Sequence, residues 1–228
     1  MRADEILQRM KSMSNPEAVA GMARFGINPK GTYGISLPTL RGMAKEIGKD
    51  HKLAQRLWSS GIHEARILAG MIAEPAKLTE DQIERWAADF DSWDVCDQCC
   101  SNLFDKSSLA YRKAVEWSRR EEEFVKRAGF ALMAALAVHD READDSRFER
   151  FLPLIKRGSW DERNFVKKAV NWALRQIGKR DLQLNGLAIK TAKEIQKMDS
   201  KSARWIASDA LRELTSKNVQ GKLRARRG

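Results

Sequence analysis

Histidine, cysteine and proline are scarce in this chain, and each shortage removes a class of explanation. The three histidines, His51, His63 and His139, are scattered, so they offer no shared ligand set and read as loop or helix-end residues. The three cysteines fall within five residues, at Cys96, Cys99 and Cys100, which cannot brace an extracellular disulfide framework. Their spacing is zinc-like, yet no second ligand pair is present, and the strand–helix context of a redox CxxC is missing. With five prolines and no sustained alternation of polar and apolar residues, strands are not expected. No apolar run approaches the roughly 18 residues of a membrane span, and mean hydropathy is -0.54. The opening "MRADEILQRMKSM" lacks the apolar region and cleavage site of a signal peptide. There is no Gly-rich phosphate loop, HExxH or GxSxG. These absences lead us to expect a cytoplasmic protein with no membrane contact, no metal and no organic cofactor.

What is present is length, charge and helical periodicity. The 228 residues, 43% hydrophobic and 32% charged, are enough for a sizeable core. A net charge of +11 and a pI near 9.7 attract polyanions, nucleic acid first, with salt-dependent binding. A basic housekeeping surface has the same composition, so charge alone does not decide. Residues from about 217 to 228 read as a short basic tail, frayed at its end "KLRARRG".

Periodicity indicates thirteen helices from 3–14 to 201–216, among them 92–104, 122–138, 145–157 and 160–178. The segment "INPKGTYGISLP" (27–38) is a breaker-rich loop, with Pro38 in the first turn of the next helix. "FVKRAGFALMAAL" (124–136) aligns with "FVKKAVNWALRQI" (165–177), 41 residues apart. A period near 40 is that of HEAT-like repeats. The expected fold is therefore all-α, a curved α-solenoid of HEAT-like helical repeats forming a single domain over residues 1–228.

Within the helix at 160–178, Val166, Ala169, Val170, Ala173, Leu174 and Ile177 form one apolar stripe. Trp172 lies off it, among Lys168, Arg175 and Lys179. It either packs on a neighbouring repeat or belongs to an aromatic and basic nucleic-acid surface. In "SWDVCDQCCSNLF" (92–104), Ser92 is a candidate N-cap and Asp94 a first-turn acid. Cys96, Cys99, Cys100 and Leu103 make the core stripe, with Trp93 and Asp97, one turn apart, on its shoulder. Capping does not account for Asp97, which is either a paired surface carboxylate or a functional one. Arg127 projects from a helix otherwise rich in alanine, leaving room for a phosphate or a carboxylate. A second Ser-Trp-Asp at 159–161 puts Asn164 where the first copy has Asp97. Trp86, Trp117 and Trp205 read as packing residues.

"SWDVCD", "FVKRAGFALMAAL" and "VNWALRQIGK", in this order, resemble the AlkD-type DNA alkylation-repair glycosylases, which are built from HEAT-like repeats. The likeness runs from about residue 20 to about 215 and includes "GISLPTLR" near the start. It implies hydrolysis of the N-glycosidic bond of cationic N3- or N7-alkylated purines in double-stranded DNA, without flipping the base into a pocket. Carried over by position, the catalytic carboxylate falls on Asp97, the groove tryptophans on Trp93 and Trp172, and the groove arginine on Arg127. Lys168, Arg175 and Lys179 would add phosphate contacts. Family members often carry a double Trp where this chain has Ser92-Trp93. The implied protein is a monomeric, monofunctional glycosylase. The competing readings are a non-catalytic repeat protein that binds bent, branched or damaged DNA, and a protein-binding scaffold.

Overall fold

The computed structural model describes residues 2–225. Among them are fifteen α-helices, with 3-10 turns at Pro75–Lys77 and Phe104–Lys106 and no strand. The chain divides between Ser108 and Leu109 into two compact units.

The first unit runs α1 (Ala3–Ser12), α2 (Pro16–Arg24), α3 (Leu37–Ile47), α4 (His51–Ser59), α5 (His63–Ile72), α6 (Glu80–Ala88) and α7 (Trp93–Asn102). Local chemistry sets several of the starts. Asn15, Asp50 and Thr79 each accept the N–H three residues on, relieving one orphan donor of the first turn. Ser36 caps α3, and Pro38 stands in its first turn as the sequence indicated. α5 packs on α3, α4 and α7, burying Leu57, Ile67, Leu68, Val95 and Cys99. Each such side chain contributes about 1.5–3 kcal/mol. Trp58 and Trp86 stack with ring centroids 4.0 Å apart.

The second unit runs α8 (Ala110–Trp117), α9 (Glu123–His139), α10 (Asp145–Glu149), α11 (Leu152–Gly158), α12 (Asn164–Ile177), α13 (Leu182–Gln196), α14 (Lys201–Leu214) and α15 (Lys217–Ala225). The helix expected over 145–157 is two. Pro153, at the second position of α11, has no N–H to continue the ladder from α10 and restricts the residue before it. α9 is apolar on nearly every side because it is covered by both α8 and α12. At Gly129 a Cβ would collide with the Ser118 backbone, so glycine permits the approach of α8. The end of the basic tail, "KLRARRG" (222–228), was expected to fray. Instead it continues as α15 through Ala225, because Val219 and Leu223 are buried; residues 226–228 lie outside the described residues.

Contacts between successive repeats keep constant offsets. In the second unit, Asn171–Asp209, Arg175–Glu213 and Glu162–Ser200 are all 38 residues apart. In the first, His51–Gln82, Trp58–Asp89 and His63–Asp94 are all 31 apart. The shorter offset reflects shorter helices, 9 or 10 residues in α4 to α7 against 14 to 17 in α9, α12 and α14.

The long loop between α2 and α3 is held by one carboxylate. Glu64, wholly buried in the first turn of α5, accepts the backbone N–H groups of Tyr33, Gly34 and Ile35 at 2.7–3.2 Å. Gly34 adopts φ +78°, and a Cβ there would crowd the Asn15 carbonyl. Glu64→Gln keeps the volume but removes the charge facing three donors. Chemical denaturation should show a loss of about 1.5–3 kcal/mol, and the Tyr33–Ile35 amides should exchange faster. Unchanged stability would show that the loop is held elsewhere.

Candidate functional site

Helix α7 carries the two residues of greatest chemical interest, and its N-terminus is anchored by three consecutive side chains. Ser92 stands at the N-cap position, but its hydroxyl makes no cap within its own helix. It accepts the Asn28 N–H at 3.0 Å instead, a correction to its reading as an ordinary cap. Trp93 donates its indole N–H to the Phe25 carbonyl at 3.1 Å. Asp94 meets His63 Nε2 at 2.9 Å, so it is more than a first-turn acid. Asn28 Nδ2 also donates to Asp91 at 2.8 Å, closing the latch between the loop after α2 and the start of α7.

On this anchored helix Trp93 and Asp97 are both half-buried and one turn apart. The expected core stripe of Cys96, Cys99, Cys100 and Leu103 is fully buried. Burial pushes the Cys99 and Cys100 thiols well above their ordinary range, and the Asp97 charge adds to the effect at Cys100. At neutral pH these thiols are uncharged, and Asp97 lies on the middle turn of α7. Among the described residues no group of three or more His, Cys, Asp or Glu side chains is placed to hold a metal ion.

Sequence reasoning did not single out Phe25, whose carbonyl receives the Trp93 indole N–H and whose side chain is 74% exposed. An aromatic immediately before Gly26, which adopts φ +78°, was the signal in the sequence that the chain turns out there.

The remaining candidates belong to the second unit. The α12 stripe is buried as expected, from Val166 to Ile177, while Trp172 is half-buried and Lys168 exposed. Arg175 and Lys179 are not simply solvated. Both bond Glu213 at 2.7 Å, and Arg175 also meets Asp209 at 3.3 Å. Burial works against the Glu213 charge, but Lys179 and Arg175 outweigh it and hold the carboxyl below its usual range. Arg127 is buried and donates to the Phe165 carbonyl on α12. The alanine side of α9 thus accommodates α12. Of the tryptophans assigned to packing, Trp86 and Trp117 are buried, but Trp205 is 42% exposed.

The two Ser-Trp-Asp copies differ in structure. Ser92 immediately precedes α7, whereas Ser159 ends α11 and α12 begins only at Asn164. Asp97 is the fifth residue of its helix and Asn164 the first, so they are not equivalent positions.

These observations define a helical-repeat protein with a strongly basic chain and a half-buried acid–indole pair. A family model described as "DNA alkylation repair enzyme" matches residues 6–214, and the chain belongs to that family. Among curated relatives, Uncharacterized protein Lin0241 of Listeria innocua serovar 6a is 23% identical over 199 residues, covering 86% of this chain and 87% of that one. Uncharacterized protein Lmo0209 of Listeria monocytogenes serovar 1/2a is 22% identical over the same coverage. A solved structure described as "A new family of proteins related to the HEAT-like repeat DNA glycosylases with affinity for branched DNA structures" matches with TM-score 0.78 and 21% identity. It covers 94% of this chain and 96% of that one. The fold is therefore HEAT-like.

The anchor has a pH signature. Burial lowers the His63 pKa, but the hydrogen bond and charge of Asp94, with Glu64 and Asp91, outweigh it and leave it above the ordinary 6.5. A raised folded-state pKa stabilises fully below the unfolded value and is lost as pH rises through the folded one. The stability advantage of the wild type over Asp94→Asn should be greatest below about pH 6.5 and shrink above it. Denaturation at a series of pH values tests this; an advantage that grows with pH would reverse the assignment.

Proposed function

We propose that this protein is a monofunctional DNA glycosylase that hydrolyses the N-glycosidic bond of cationic N3- and N7-alkylated purines in double-stranded DNA. The observation that carries the reading is Asp97, a half-buried carboxylate one turn from Trp93 on an anchored helix, in a chain of the DNA alkylation repair family.

An alkylated purine already bears positive charge, so it leaves without a strong general acid. As the C1′–N bond breaks, its electron pair goes to the base and neutralises it, and positive charge develops on the deoxyribose. Asp97 stabilises that charge and orients the water whose oxygen bonds to C1′; the carboxylate or solvent takes the released proton. The face of Trp93, one turn from Asp97, favours the same cation through its quadrupole. Lys168, the exposed member of the set, supplies positive charge for phosphates with Arg175 and Lys179, while Arg127, buried and donating to the Phe165 carbonyl, contributes only its field. A phosphate at Arg175 or Lys179 must compete with Glu213. No metal or organic cofactor enters the reaction, and the protein acts as a monomer in the cytoplasm, associated with DNA.

The second reading, a binding protein for branched DNA without catalysis, is favoured by the match to the structure whose description names that affinity. The same assay separates the two. Wild-type protein should release N7-methylguanine and N3-methyladenine from methylated duplex DNA. Asp97→Asn should lose about 100-fold or more of the rate while binding DNA equally well. Binding without release by either form would support the second reading and remove Asp97 from any catalytic role. Plotted as log K against log salt, binding that neutralises about six phosphates should fall with a slope near -5; a slope near zero would sink both.

A further inference from the structure

Two exposed tryptophans remain outside that account. Trp160, between α11 and α12, is 54% exposed, and Trp205 on α14 is 42% exposed. Neither is needed by the core. In α14, Ala203, Ile206, Ala207, Ala210 and Leu214 form a fully buried stripe without Trp205. At the end of α11, Gly158 and Ser159 are buried while the next residue, Trp160, turns outward.

Both indoles flank one junction. Ser202 donates its hydroxyl to the carbonyl of Asp161, the neighbour of Trp160, at 2.8 Å. Glu162 accepts the Ser200 hydroxyl at 2.6 Å and the Ser202 N–H at 3.2 Å. Five residues beyond Glu162, Lys167 holds its ammonium 5.2 Å from the Trp205 ring centroid. The α11–α12 connection is thereby fastened to the first turn of α14, with Trp205 just beyond that turn. The two segments concerned, 156–168 and 197–205, hold eight basic residues and three acidic ones, so the surroundings favour an anion.

We propose that this junction is a binding site for unpaired nucleic-acid strand, with Trp160 and Trp205 stacking on exposed bases and Lys167, Lys168 and Lys201 facing its phosphates. Bases inside a duplex are already stacked on one another and offer no free face to an indole. Unpaired bases do, whatever their sequence. Basic residues around aromatics fit such a strand better than an acidic peptide, which has charge but no matching π surfaces. The inference rests on the DNA-binding reading above and adds to it a preference for DNA with unpaired bases, carried by residues distinct from Asp97, Trp93 and Trp172.

The test measures fluorescence anisotropy of labelled DNA with the full chain at fixed salt. Three ligands share one duplex length: blunt, with a single-stranded overhang, and with an overhang of the same length made of abasic sugar-phosphate. The wild type should bind the base-bearing overhang about 5-fold or more tighter than the abasic one. In Trp160→Ala/Trp205→Ala the two overhangs should bind alike, with blunt-duplex affinity little changed. In Trp160→Phe/Trp205→Phe most of the preference should return. Equal thermal unfolding of the variants excludes a folding defect. A wild type that binds the blunt duplex but does not distinguish the overhangs overturns this inference and leaves the DNA-binding reading standing. Preference surviving in the double alanine variant places the stacking elsewhere and also overturns it. Failure to bind any of the three overturns both readings.

Discussion

The position of Asp97 in the first unit depends on how the start of α7 is gripped. Ser92, Trp93 and Asp94 are successive residues, and each is bound to a different place: Asn28, Phe25 and His63. Three contacts from adjacent positions remove both translation and rotation of the helix end, so they set the direction of Asp97 one turn later. His63 opens α5, and Glu64 is the next residue. The residue pair that fixes the anchor therefore also fixes the loop carrying Asn28, through the Glu64 carboxylate. The grip uses one acid for the helix and another for the loop. Electrostatic catalysis requires a charge held in place before reaction, because reorganising it during the step would cancel the gain.

Repetition governs the second unit. A common offset of 38 residues between α12 and α14 means that each position on one helix addresses the same position on the next. Asn171 and Arg175 therefore meet Asp209 and Glu213, and Lys179, just beyond α12, reaches back to Glu213 at an offset of 34. Such a row ties the two helices together along their length, with Arg175 touching both acids. It also changes what the net charge of +11 means. Part of the basic face of α12 is already neutralised by α14, while Lys168 on the same helix is exposed.

Helix existence and core faces were legible in the sequence, because apolar spacing reports them directly. The stripes at Cys96–Leu103 and Val166–Ile177 are buried as their spacing required. What spacing could not show was the partner of each polar residue. Asp94 satisfied a rule for first-turn acids, and that rule concealed its bond to His63, 31 residues away in sequence. Nothing in the segment around Glu64 signals that its carboxylate holds a loop 30 residues earlier. Trp205 kept company with small and aliphatic residues, and only the direction of its Cβ from α14 separates it from their stripe. The split of 145–157 at Pro153 could have been read from proline chemistry alone.

The two Ser-Trp-Asp copies show where such reading fails in principle. Ser92 is held by a distant loop, whereas Ser159 turns back to the Ile155 carbonyl of its own helix. The Trp93 indole is tied to Phe25 and half-buried, but Trp160 stands in solvent. Asp94 pairs with a histidine. Asp161 loses charge stability to burial but regains more from Arg163 and Lys126, which bring its pKa to about 2. The same three side chains thus perform an anchor at one site and a turn between helices at the other. Nothing within the tripeptide distinguishes them. The difference lies in where the helix starts: at once after Ser92 in the first copy, and only after Arg163 in the second. A short motif takes its role from the register of the helix it introduces, and Asp97 acquires its position only in the copy where that register is immediate.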